Sequence, residues 1–150
     1  MRRRVPLLAT LALLLAGTEA AGQVTTLRNL AFGTITSGTT ASVGKTSGNA
    51  AQWRIHVPVT LVGFQLTLPT SLTGPGLAIP VTFSSTDGVY RLNSNNPAGG
   101  TTFNPSGFQA VVAGLGSDVY VWLGASVSPP LNQTPGTYSA TVVLTTTGLL

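Results

Sequence analysis

The chain has 150 residues, only 7% of them charged, with seven Lys and Arg against three Asp and Glu, one His and no Cys. Ordinary globular chains are about a quarter charged, so Thr, Ser, Asn and Gly must supply most of the polar surface here. Disulfides and thiol chemistry are excluded outright, and a carboxylate-rich cation cage has too few carboxylates to form.

Met1-Arg2-Arg3-Arg4 leads into an apolar run from Val5 to Ala16 and then into small residues through Gly22. A basic head, a short apolar stretch and a small-residue exit are the three parts of a secretory signal. The run is well short of the roughly 20 residues a helix needs to cross a bilayer, so no permanent membrane span is expected. Thr18-x-Ala20 predicts a cut before Ala21, and Ala20-x-Gly22 one before Gln23. Residues 1–22 are therefore read as a cleaved signal and 23–150 as one domain, placing the mature chain in the periplasm, on the outer surface or outside the cell. Removing the signal takes away Arg2, Arg3, Arg4 and Glu19 and leaves Arg28, Lys45, Arg54 and Arg91 against Asp87 and Asp118. Four scattered cations make no basic stripe, which argues against nucleic acid as a partner.

Beyond the signal no helical stripe occurs, while strand patterns recur between turn residues. Val24 to Ile35 reads as a first strand, with Leu30, Phe32 and Ile35 inward and Gly33 at a bulge. The polar stretch Thr36 to Asn49 allows one short strand at Ala41 and Val43, with Gly44 and Gly48 in turns. From Gln52 to Val59, Trp53, Ile55, Val57 and Val59 alternate with Arg54, His56 and Pro58. After an expected break near Gly63, Phe64, Leu66 and Leu68 carry the pattern to Pro69. Leu77, Ile79, Val81 and Phe83 repeat it, and Pro80 predicts an edge or a bulge. Asp87-Gly88 marks a turn, Tyr90 and Leu92 a short strand, and Asn93 to Gly100 a loop. Short segments follow at Phe103 and from Phe108 to Val112. From Asp118 to Gly124, Val119, Val121 and Leu123 alternate with Tyr120 and Trp122, so both faces are apolar. After Pro135-Gly136, Tyr138, Ala140, Val142 and Leu144 share the inward parity of a last strand, with Thr137, Ser139, Thr141, Val143 and Thr145 outward. Eight or nine short strands in one domain predict an all-β, immunoglobulin-like Greek-key sandwich.

Catalysis needs clustered ionisable or nucleophilic groups, and the mature chain has one His, two Asp, no Glu and no Cys. His56 reads as a surface histidine on the polar parity of its strand, and Asp87 and Asp118 read as turn residues. No catalytic residue, cofactor site or metal site is expected. Tyr120 and Trp122 are the candidates for contact with a partner, because rings on a sheet face can stack on sugars or anchor a protein. The same two rings could equally pack beneath a loop.

Leu30-Ala31-Phe32-Gly33-Thr34-Ile35, Phe64-Gln65-Leu66-Thr67-Leu68-Pro69 and Pro135-Gly136-Thr137-Tyr138-Ser139-Ala140-Thr141-Val142 occur in that order across nearly the whole mature chain. With this opening, this strand ending in Leu-Pro and this closing Gly-x-Tyr strand, the sequence resembles the bacterial DUF4402 family and the related spore coat protein U and archaic chaperone–usher pilin group. The resemblance implies a bacterial, exported immunoglobulin-like sandwich whose relatives build surface fibres or coats. In those pilins one strand is missing, and an extension from a neighbour fills the groove by donor-strand complementation. It also implies protein partners or self-assembly, with a periplasmic chaperone among the candidates. This chain departs from the pilin pattern: only Ala21 to Asn29 precede Leu30, and their large apolar residues, Val24 and Leu27, lie on opposite parities. A self-contained sandwich, a terminal subunit that accepts without donating, and an extension misjudged through the cleavage site all remain open. The expectation is a non-enzymatic structural subunit working through sheet edge and groove, with a secreted glycan- or envelope-binding module at Tyr120 and Trp122 as the alternative.

Overall fold

The computed structural model describes residues 22–58 and 61–149, together with the backbone of 4–6 and 11–12. Sixteen strands and no helix make up the regular structure of these residues. In chain order they are β1 (Arg4–Pro6), β2 (Leu11–Ala12), β3 (Gln23–Arg28) and β4 (Thr34–Thr36), then β5 (Ala41–Val43), β6 (Ala51–Val57), β7 (Leu61–Thr67) and β8 (Ser71–Leu72). The second half adds β9 (Ile79–Thr82), β10 (Gly88–Leu92), β11 (Thr101–Phe103) and β12 (Gln109–Val112), followed by β13 (Ser117–Leu123), β14 (Ala125–Val127), β15 (Ala140–Thr141) and β16 (Val143–Gly148).

The alternation of the sequence decides how these strands layer. On β6, Trp53, Ile55 and Val57 are buried and face Val121, Val119 and Ser117 of β13 across an antiparallel register. With β3 on one side and β10 and β11 on the other they form a five-stranded sheet ordered β11-β10-β13-β6-β3. A three-stranded sheet, β12-β7-β16, lies opposite and turns Val62, Phe64, Leu66, Val111 and Leu144 inward. The Phe64 ring joins the layers, meeting Phe103 edge-on at a centroid distance of 5.2 Å and Tyr90 at 6.0 Å. Burying a side chain of this size is worth roughly 1.5–3 kcal/mol, so this shared interior is what holds the sandwich closed without disulfides. A third sheet, β5-β14-β9-β8, packs into the same core through Val43, Ala125, Val127, Ile79 and Leu72.

β13 and β14 belong to different sheets with only Gly124 between them. A β-carbon on Gly124 would run into the backbone of Val43 and Lys45, so glycine lets the chain change sheets there. The other end of the sandwich is pinned by Tyr138, fully buried, whose hydroxyl donates to the Thr134 carbonyl at 2.7 Å. This is the tyrosine corner of immunoglobulin-like sandwiches, in which the tyrosine at the start of a strand ties back the turn preceding it.

Several expectations are corrected. The span Val24 to Ile35 is two strands, β3 and β4, separated by the buried Leu30 and by Gly33 at φ +69°. Residues 23–28 are not a free extension, because β3 pairs with β6. Gly63 is no break: it lies within β7, and the Phe108 ring covers it, occupying the space a β-carbon would take. Leu77 is 69% exposed rather than inward, and β9 starts at Ile79. Pro80 is on neither an edge nor a bulge, since β9 lies between β14 and β8 and the Pro80 carbonyl accepts from Ser128 N at 3.2 Å. The last strand starts at Ala140 and is interrupted at Val142, although Tyr138, Val142 and Leu144 are buried on the expected parity. Val59 and most of the expected signal lie outside the described residues. No helix among the described residues is long and apolar enough to cross a membrane.

Candidate functional site

The outer face of the five-stranded sheet holds the residues with the most chemistry. Arg91 on β10, Tyr120 on β13, Arg54 on β6 and Thr25 on β3 form one cross-strand row. Val89, Trp122 and Gln52 form the next. Tyr120 and Trp122 stack on each other at 6.1 Å with their planes 26° apart, and Trp122 is only 1% exposed. Gln52 donates to the Asn95 side chain, and Arg91 donates to the carbonyls of Asn96 and Ala98, so the 93–100 loop is tied down over this face. Trp122 and Val89 are buried but stand apart from the main core cluster. They form a small second core beneath the loop, and Trp122 offers no surface to a partner. Only Tyr120 remains half-exposed.

Below that row, His56 Nδ1 and Asp118 Oδ1 are 2.8 Å apart, and Arg54 Nε lies 3.4 Å from the same oxygen without the alignment of a hydrogen bond. Asp118 is also bound by its backbone: its N–H donates to Asn93 Oδ1 at 2.9 Å, and its carbonyl accepts from Asn93 N at 2.8 Å. Asn93 takes the left-handed conformation, φ 52°, that starts the loop. The pair thus sits at a loop root. Among the described residues no hydroxyl is bonded to the His56 ring. Asp87 caps a turn instead, accepting from Ser84 N at 2.7 Å.

The geometry that sequence reasoning missed lies in two short strands outside the larger sheets, β4 and β15. β4 pairs antiparallel with β1, Thr34 to Pro6, Ile35 to Val5 and Thr36 to Arg4. β15 pairs parallel with β2, Ala140 to Leu11 and Thr141 to Ala12. Neither β4 nor β15 belongs to any of the three larger sheets. Their buried neighbours are core residues, with Ile35, Tyr138 and Val142 in the main cluster. Backbone edges therefore border the hydrophobic core here, and the segment that meets both is the one read as an export signal. The only signal for this in the sequence is the apolar run Val5 to Ala16, whose basic head and small-residue exit point to export rather than to strand pairing.

No family model matches the chain, and no curated protein matches it in sequence.

Proposed function

We propose that this chain is an exported, non-enzymatic structural subunit of a bacterial surface, coat or pilus-like assembly, working through strand-edge and groove contacts as its resemblance to the DUF4402 and pilin-like groups suggests. The observation that carries this reading is the pairing of β4 and β15 with residues 4–6 and 11–12. Cleavage before Ala21 or Gln23 would remove both partners. Unpaired backbone groups beside an apolar interior are costly, and an edge in that condition accepts another strand. A neighbouring subunit would supply it in the assembly, and a periplasmic chaperone would cover it before then. Because β3 is built into the chain's own sheet, the subunit fits a strand acceptor better than a donor.

The test is to express the full chain in a Gram-negative host, fractionate the cells, and determine the N-terminus and native mass of the product. The expected product begins at Ala21 or Gln23, lies outside the cytoplasm and runs as a complex or a denaturant-resistant ladder. An uncleaved cytoplasmic chain, or a secreted monomer with no partner, would overturn the reading.

A further inference from the structure

β12 closes one side of the three-stranded sheet, and among the described residues no strand pairs with its outer edge. Natural sheet proteins guard such edges with Lys, Pro, a bulge or a covering loop. β12 reads Gln109-Ala110-Val111-Val112, without a charge or a proline, and pairs with β7 in an unbroken register. Between Arg91 and Asp118 the sequence has no ionisable residue at all. Exposed apolar side chains gather in this same stretch: Val112 is 77% exposed, Leu115 73% and Phe108 50%. Beside the edge, between β12 and the end of β10, a cleft of about 380 Å³ is lined by Tyr90, Leu92, Thr101, Ala110 and Val112, with Arg91 its one charged residue.

We propose that β12 is the self-association edge of the molecule, pairing antiparallel with β12 of a second copy about a two-fold axis. A second copy suits this edge for a reason of charge. Antiparallel pairing about the two-fold sets Gln109 against Val112 and Ala110 against Val111, so no like charges meet. From Gln23 onward, four cations against two aspartates leave little net charge with which to oppose association. The contact is isologous and closes on itself, so it yields a dimer rather than a fibre. It joins the two three-stranded sheets into one across the axis, and the apolar side chains at the rim of each cleft lose their exposure to water. The β4 and β15 edges take no part, so this inference does not rest on their accepting a strand.

The experiment measures the native mass of the full-length chain by light scattering over a wide concentration range, for the wild type, Val112→Lys and Ala110→Lys. In the full chain residues 4–6 and 11–12 already pair with β4 and β15, so association through those edges drops out. The wild type is expected to dimerise, and either substitution to weaken the dimer by at least about tenfold, because a charge on an edge strand opposes pairing. Both positions are exposed, so their urea transitions should match the wild type. Should one variant fail to fold, hydrogen exchange of the wild-type Gln109–Val112 amides gives a second readout, with protection that grows with concentration. A wild type that stays monomeric, a dimer indifferent to folded variants, or concentration-independent exchange of these amides would overturn the proposal.

Discussion

Charge is so scarce in this chain that its placement can be followed residue by residue. Lys45 donates to the Thr86 carbonyl and to Thr102 Oγ1, both at 2.7 Å, tying the segment after β5 to the β9–β10 turn and to β11. Arg28 Nε donates to the Ala50 carbonyl at 2.7 Å, Arg91 holds the 93–100 loop, and Arg54 lies against Asp118. Arg28, Lys45, Arg54 and Arg91 are thus all engaged inside the molecule, which leaves the outward-facing chemistry to hydroxyls, amides and apolar groups. The two candidate rings divide in the same way. Trp122 packs beneath the loop, so Trp122→Ala should destabilise the fold by about 3–5 kcal/mol. Tyr120→Ala should cost about 1 kcal/mol or less, since half-exposed positions lose little. Urea unfolding of the two variants checks this, and similar small losses at both positions would mean that Trp122 does not pack as described. From sequence, the apolar parity of Tyr120 and Trp122 was legible but the cover over Trp122 was not, because it depends on the bond between Gln52 and Asn95, which are far apart in the chain.

At the scale of elements, alternation located the inward faces of β6, β7 and the closing strand, because a period of two is imposed by the pleat itself, whereas β13 read as apolar on both faces. Boundaries were harder to read where a glycine had more than one physical use. Gly63 resembles a break but is a gap filled by the ring of Phe108, and Gly124 looks like the end of a strand but is a crossing between sheets. Both depend on residues distant in sequence, so local composition could not separate them from turn glycines. The crossing makes a firm prediction. Gly124→Ala would push a methyl group into the backbone of Val43 and Lys45, which cannot rotate away as a side chain would, and should cost about 1–3 kcal/mol. A lowered urea midpoint with an unchanged slope would confirm it, whereas an unchanged midpoint would mean that β5 yields freely.

For the molecule as a whole, the layered sandwich was legible in the recurrence of short alternating strands, although fourteen strands from β3 to β16, several of only two or three residues, stand where eight or nine were expected. The pairing of β4 and β15 was not, because it is a relation between residues 4–6, 11–12, 34–36 and 140–141 that no local pattern carries. The most direct test is a urea unfolding curve of the chain cut before Gln23, recorded with and without a peptide copying residues 4–12. If β4 and β15 need a strand, the peptide should raise the midpoint in a saturable way, as any ligand of the native state does, and a scrambled peptide should not. A midpoint that both peptides leave unmoved, for a chain that already unfolds in one cooperative step as a stable monomer, would show a complete sandwich and contradict the strand-accepting account.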